Sequence, residues 1–510
     1  FFFFFKNTRR PPGLSFRGAS SSARSAHRIA RASLNDVMVE YSSRAGVLAV
    51  LLFGALCSGS CRGEKDASSV PDAGVEQREF LSQTDEDYAF LERIQSNAYD
   101  IDGSFPPFGS NWQKVAAEET LIRRIADIGK TTEIEKQASR EELRTLIRQL
   151  PESHLSTRLE NPFVYFIATE VDKHVVAAVE KLGYEEPRVI IGTLPTYSAN
   201  ARSVPAPSGR RVIVLNTGLF NAVNRFCKAL VPVVQIRTEG DQVSLSISQQ
   251  WTRKIADPQS DTFIHFIDVG LEYLRVSSGE DYALPVDSML LQARLVSAME
   301  IFILGHEYAH ALLDHKTMRG SAKDLGLALA GQRELMASDA LRSWIQELEA
   351  DRLGAKLMLT SLELDGAAIP EVMAAGPDLA LQLLDYLDRS RALYDTGRDV
   401  TVRSSTAASP EEKLYAVAAD CVDRKAANCA PPADLPADVR FSDHPPSSLR
   451  RVGLRAHLRP KVLNQRTYLD IGTGFAELIE LMWPNTVKVY TELRKQGLIP
   501  APSPRVTDGP

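Results

Sequence analysis

Met299-Glu-Ile-Phe-Ile-Leu-Gly-His306-Glu307-Tyr-Ala-His310-Ala-Leu-Leu-Asp-His315 decides how this chain is read. The stretch reads as one helix, an apolar run interrupted by His-Glu-Tyr-Ala-His. Residues four apart on a helix lie one turn above each other, so His306 and His310 face one point. Two neutral imidazoles at that spacing can hold one Zn²⁺. Glu307 projects beside them, where a carboxylate can take a proton from water activated by the metal. With nine histidines in 510 residues, chance produces an H-E-x-x-H on the order of once per hundred such chains.

A third ligand comes from Ser338-Asp-Ala-Leu-Arg-Ser-Trp-Ile-Gln-Glu347-Leu-Glu349-Ala-Asp351. Ser338 is an N-cap residue type, and Leu341, Trp344, Ile345 and Leu348 make a helical apolar stripe. Glu347 and Asp351 share a face, and Glu349 points elsewhere. Glu347 completes a three-ligand set that leaves a fourth position for water. Asp351 can accept the outer N–H of a ligand histidine and fix its tautomer. Taken without the upstream motif, the same run is an ordinary solvated charged helix. The pattern H-E-x-x-H-x-x-G-x-x-H does not apply, because its glycine and third histidine positions hold Leu313 and Lys316. His315 comes one residue early and reads as a helix-end residue or one that supports a ligand from behind.

The composition, 44% hydrophobic and 24% charged over 510 residues, is that of a globular protein with a large core. The net charge of −6 is unevenly spread. Residues 1–37 carry seven Lys/Arg against one Asp, and residues 38–61 are neutral, so −12 falls on the rest. No basic–aromatic interleaving points to nucleic acid.

Taken in order, residues 1–37 are a basic extension, or sequence upstream of a true start at Met38. Residues 38–61 resemble an export signal: Arg44 precedes a thirteen-residue apolar run, Ala45–Cys57, followed by small residues. Cys61 or Cys57 fits a lipidated cysteine, and cleavage after Ser60 is the alternative. Either places the protein outside the cytoplasm, in the bacterial periplasm or on a lipid anchor. Residues 62–85 read as a flexible tether and 86–160 as a helical N-terminal region, with a capping pattern at Ser139 and Glu142. A domain at 161–460 follows. It has strands near 188–192 and 211–216, an insertion at 231–298, and a loop-rich stretch at 397–443. His265 reads as a core residue and Cys227 as a small buried hydrophobe. Cys421 and Cys429 can close a local disulfide or stay free. A helical tail covers 461–510.

Four pieces then stand in one order: Asn200-Ala201, Leu215-Asn-Thr217-Gly218-Leu219, the H-E-x-x-H…E-x-x-x-D pair, and His444-Pro445-Pro446 followed by Arg450. This set resembles the zinc metallopeptidases that include the CaaX prenyl endopeptidase, the HtpX heat-shock protease and their soluble exported relatives. The resemblance covers about residues 160–360 and 440–455. It implies an α+β, predominantly helical, gluzincin-like fold with a small sheet over the H-E-x-x-H helix. It also implies one Zn²⁺ per chain on His306, His310 and Glu347, with Glu307 as base and Asp351 in support. His444 and Arg450 carry over as residues at the edge of the site that steady an oxyanion or gate the metal. Two departures point to the soluble branch. About seventy residues separate Phe226 from the motif, and a multispan membrane body is absent.

The expected function is zinc-dependent endopeptidase action on unfolded or extended cell-envelope polypeptides, in protein quality control or on one dedicated partner. The alternative is an envelope binding or assembly factor with a gated zinc site.

Overall fold

The computed structural model describes residues 84–102, scattered positions in 133–144, 155–239 except 195, 242–247, 253, 257–276, 284, 286–315, 334–364, 374–397, 408–458 except 427, 436–438 and 440, and 465–499. The basic extension, the signal-like run with Cys57 and Cys61, the tether up to residue 83, the Ser139/Glu142 pattern and the Pro-rich end lie outside the described residues.

The described residues are mostly helical with a small three-stranded sheet, an α+β arrangement. Helices α1 (Glu86–Asp102) and α2 (Pro162–Lys181) precede strands β1 (Val189–Leu194), β2 (Ala201–Pro205) and β3 (Arg211–Asn216). The sheet order is β1-β3-β2, with β1 parallel and β2 antiparallel to β3. Successive side chains of a strand face opposite ways. Ile213 and Leu215 therefore enter the main core, while Val212 and Val214 meet Phe90, Leu91 and Ile94 of α1. Burial on both faces is why these strands read as unbroken apolar runs. Gly192 permits the close approach of α1, since a Cβ there would lie 2.5 Å from Leu91 Cδ1.

Helix α3 (Thr217–Leu230) leaves β3 directly, and its Cys227 is buried with Sγ 3.4 Å from Met299 Sδ, as a small hydrophobe should be. The 231–298 stretch begins with a hairpin, β4 (Val234–Glu239) with β5 (Gln242–Ile247), and continues into α4 (Asp261–Tyr273). It does not end as a separate insertion. The motif helix, α5, runs Val286–Leu312, so the boundary drawn at residue 298 falls inside one continuous element. The apolar residues of α5 ring its whole axis, which marks a helix buried on all sides. Between Leu291 and His310 only Arg294, Ser297 and Ile303 are less than buried.

Beyond α5 come a short strand β6 (Glu334–Leu335), α6 (Ala337–Leu364) and α7 (Gly376–Thr396). The stretch read as loop-rich at 397–443 contains a further helix, α8 (Pro410–Arg424). A capping box starts it: Ser409 Oγ accepts from Glu412 N–H and Glu412 accepts from Ser409 N–H. Cys421, in the last turn of this helix, forms a disulfide with Cys429 just past it. Strand β7 (Phe441–Ser442) pairs with β6, and α9 (Ser447–Leu458) and α10 (Gln465–Lys495) close the described chain. Trp344 of α6 and Phe441 of β7 meet edge to face in a cluster with Leu414 of α8. Among the described residues no helix is long and apolar enough to cross a membrane.

One buried acid lacks an obvious purpose. Glu300 of α5 projects among Val171, Leu215, Phe220 and Val223, and burial pushes its carboxyl up to about 8. A carboxyl raised in the folded state binds a proton that the unfolded chain releases at the ordinary value of 4.5. Its contribution to stability is therefore complete below pH 4.5 and is lost as pH rises through 8. Glu300→Gln cannot ionise, and its unfolding free energy is expected to fall less over that interval than the wild type's. Urea titrations at a series of pH values check this, and parallel curves for the two proteins would refute it.

Candidate metal centre

The site forms where α5 crosses α6. Gly354 of α6 sits against the backbone of α5, and a Cβ there would lie 2.7 Å from His306 N and 2.9 Å from His306 Cα. Gly305 faces it, with a built Cβ 3.2 Å from the Gly354 carbonyl oxygen. Two glycines at the crossing bring the backbones close enough for neighbouring side chains of the two helices to converge.

Those side chains are His306, His310 and Glu347, all buried. His306 Nε2 and His310 Nε2 lie 3.1 Å apart, and each is 3.3 Å from a Glu347 carboxylate oxygen. Tetrahedral ligands at Zn–N distances of about 2.0–2.1 Å stand roughly 3.3–3.4 Å from one another. One ligand atom from each residue lies within 4.8 Å of the others, with the two histidine nitrogens facing different oxygens of Glu347. Glu347 Oε2 is buried and makes no hydrogen bond of acceptable geometry. Its neighbours include His444 Nδ1 at 2.9 Å, His306 Nε2 at 3.3 Å and Arg450 Nη1 at 3.5 Å. Two imidazoles and a carboxylate, with no thiolate, suit a borderline divalent ion such as zinc. Such a group can hold a metal ion.

The ligands are backed by other groups. His306 Nδ1 lies 3.0 Å from Asp351 Oδ1. Arg450 Nε and Nη2 donate to the two Asp351 oxygens at 2.9 and 2.6 Å, a fork on a carboxylate. Burial opposes charge on His306, but Asp351 and Glu347 outweigh it and push that imidazole up to about 10. Burial also disfavours ionised Glu347, yet His444, His306 and His310 hold it well below the usual carboxylate range. The carboxylate is therefore ready to ligate.

Glu307 is buried, lines the cleft beside His306, and makes no hydrogen bond or ion pair among the described residues. The cleft has a volume of about 930 Å³. Its walls come from the β1–β2 loop and β2 on one side and from α7 and the His444–Arg450 segment on the other. His444 Nδ1 lies 2.9 Å from Glu347 Oε2. Its turn is tied down by Trp344 Nε1 donating to the Ser442 carbonyl and Ser343 Oγ donating to that of Asp443, and Arg202 of β2 reaches Asp443 across the cleft.

All seven residues singled out in the sequence thus converge: His306, Glu307, His310, Glu347, Asp351, His444 and Arg450. Two details differ from the sequence reading. Arg450 is buried rather than at the site's edge; two of its nitrogens hold Asp351, and Nη1 is 3.5 Å from Glu347 Oε2. The helix ends at Leu312, three residues earlier than read, because Asp314 takes a left-handed φ of 48°. Glu349, set aside in the sequence, lies 3.2 Å from His315 Nε2. No signal in the local sequence indicates that contact, which depends on the turn at Asp314.

Comparison with protein-family models, curated proteins and solved structures finds no match for the chain.

A methyl group at the helix crossing should separate the ligands. Gly354→Ala would gain about 1 kcal/mol of helix propensity, yet it must displace the His306 backbone, at a cost of about 1–3 kcal/mol. The expected result is a metal-free protein that is no more stable than wild type, with weakened metal binding. Denaturation curves and chelator competition measure the two quantities, and wild-type metal affinity in the variant would refute the constraint.

Proposed function

We propose that this chain is a zinc-dependent metalloendopeptidase of the gluzincin type, acting on extended or unfolded polypeptides of the cell envelope. The observation that carries the reading is the buried set His306, His310 and Glu347, with ligand atoms within 4.8 Å of one another and Glu307 beside it on an open cleft.

His306, His310 and Glu347 would hold the ion. A bound zinc ion supplies Lewis acidity, making water nucleophilic at neutral pH and polarising a carbonyl. Glu307 takes a proton as the water oxygen bonds to the scissile carbon, and returns it to the amine as the C–N bond breaks. Asp351, clamped by Arg450, keeps His306 oriented with its Nε2 lone pair inward. His444, on the cleft wall, supplies a donor near the developing oxyanion. Strand β2 lies at the edge of its sheet and lines the same cleft. An extended peptide can pair there through its backbone, which favours unfolded substrates over compact ones.

A second reading rests on His444, whose Nδ1 lies 2.9 Å from a ligand oxygen. In that reading the site is held closed and the protein serves mainly as a binding or assembly factor.

Purified protein is expected to contain one zinc per chain and to cleave casein. Glu307→Gln should keep the zinc and lose cleavage by about 10²–10⁴-fold. Metal analysis and a casein assay on the pair decide the matter. Zinc without cleavage in the wild type, with cleavage released by His444→Ala, would favour the gated reading. Absence of zinc from the wild type would refute both.

A further inference from the structure

We infer that His315 and Glu349 form a positioning relay that fixes His310 as a metal ligand, an inference that rests on the metal-centre reading above. His310 Nδ1 lies 2.9 Å from His315 Nδ1, and His315 Nε2 lies 3.2 Å from Glu349 Oε2. The polarity of this chain is determined from both ends. A carboxylate only accepts, so His315 Nε2 carries a proton, and in the neutral imidazole Nδ1 then keeps the lone pair. His310 Nδ1 must then donate to that lone pair. The remaining lone pair of His310 is on Nε2, which points at His306 Nε2 and Glu347. Two hydrogen bonds thereby select the one tautomer that can bind a cation.

The surrounding structure holds His315 in this place. The left-handed Asp314 turns the chain back, and the His315 N–H donates to the His310 carbonyl at 3.0 Å. Arg211 of β3 donates to the His315 carbonyl. The imidazole itself is buried at 5% exposure, a costly position for a polar ring without a task. The two ligand histidines are thus supported differently. On the side away from the site, His306 faces a buried carboxylate directly, whereas His310 reaches one through the His315 ring. Glu349 is 43% exposed on its side chain. Its charge remains hydrated, so the relay orients His310 without placing another bare carboxylate in the site.

The experiment measures zinc dissociation constants by competition with a chelating dye, the visible spectrum of the Co²⁺-loaded protein, and the melting temperature of metal-free protein. Its subjects are the full chain, His315→Ala, His315→Asn and Glu349→Ala. An asparagine oxygen can occupy the place of the imidazole Nδ1 and accept from His310. The relay predicts that His315→Ala weakens zinc binding about 10–100-fold and alters the Co²⁺ spectrum. His315→Asn should recover most of the affinity, and Glu349→Ala should show a smaller loss in the same direction. Unchanged affinity and spectrum in His315→Ala would overturn the inference and leave the metal centre standing. Equal losses in the alanine and asparagine variants, tracking lowered metal-free melting temperatures, would also overturn it in favour of a helix-end packing role. A wild-type chain that binds neither ion would overturn the metal centre and the relay together.

Discussion

The contact between α5 and α6 at Gly305 and Gly354 is the constraint on which the rest of the site depends. Helix axes normally pack 8–10 Å apart, spaced by side chains. Here the spacing side chains are missing at one level, and the backbone of one helix lies against the other. The cost is two glycines in helix interiors, each about 1 kcal/mol worse than alanine. The return is positional. A histidine pair on one helix and a carboxylate on another meet within a few ångströms, at the floor of the cleft. Tyr308 Oη, donating to Asp172 of α2, and the burial of α5 on nearly every side hold that helix in place while α6 approaches.

A charge cluster in such a place has to be neutralised locally. Removing an ion from water costs several kcal/mol unless a partner and well-directed hydrogen bonds replace the solvent. Asp351, Glu347 and Arg450 are all nearly inaccessible, and they lie in sequence within reach of one another: guanidinium, carboxylate, imidazole, carboxylate. The guanidinium fork suits this task better than an ammonium would, since it satisfies both oxygens of Asp351 at once. Arg450 therefore acts on His306 through Asp351, and the segment read from the sequence as a site-edge signature is in part the counter-charge of the interior.

The legibility of the chain follows this division. His306, His310, Glu347 and Asp351 could be read because helical periodicity converts sequence spacing into a shared face without knowledge of the fold. The paired strands β1 and β3 could be read as apolar β-branched runs for a similar local reason. Strand β2 has no strand signal of its own, because an edge strand of Ala, Arg, Ser, Val and Pro carries little propensity and takes its form from pairing with β3. Helix α8 was missed within a stretch rich in Ser, Ala and Pro, although Ser409 and Glu412 carry a capping signal that local inspection could have found. The early end of α5 and the contact of Glu349 were not legible at all. Both depend on one left-handed residue, Asp314, and on an arginine from a strand a hundred residues earlier.

The Arg450–Asp351 pair also bears on the order in which the molecule is assembled. The partners are separated by 99 residues. Along the chain α5 and α6 come well before α9. Until α9 arrives, Asp351 has no guanidinium, and a solitary carboxylate resists burial. The charge buried at the close crossing of α5 and α6 is therefore not neutralised until α9 packs against it. The candidate metal centre is thus complete only when segments 99 residues apart along the chain have met.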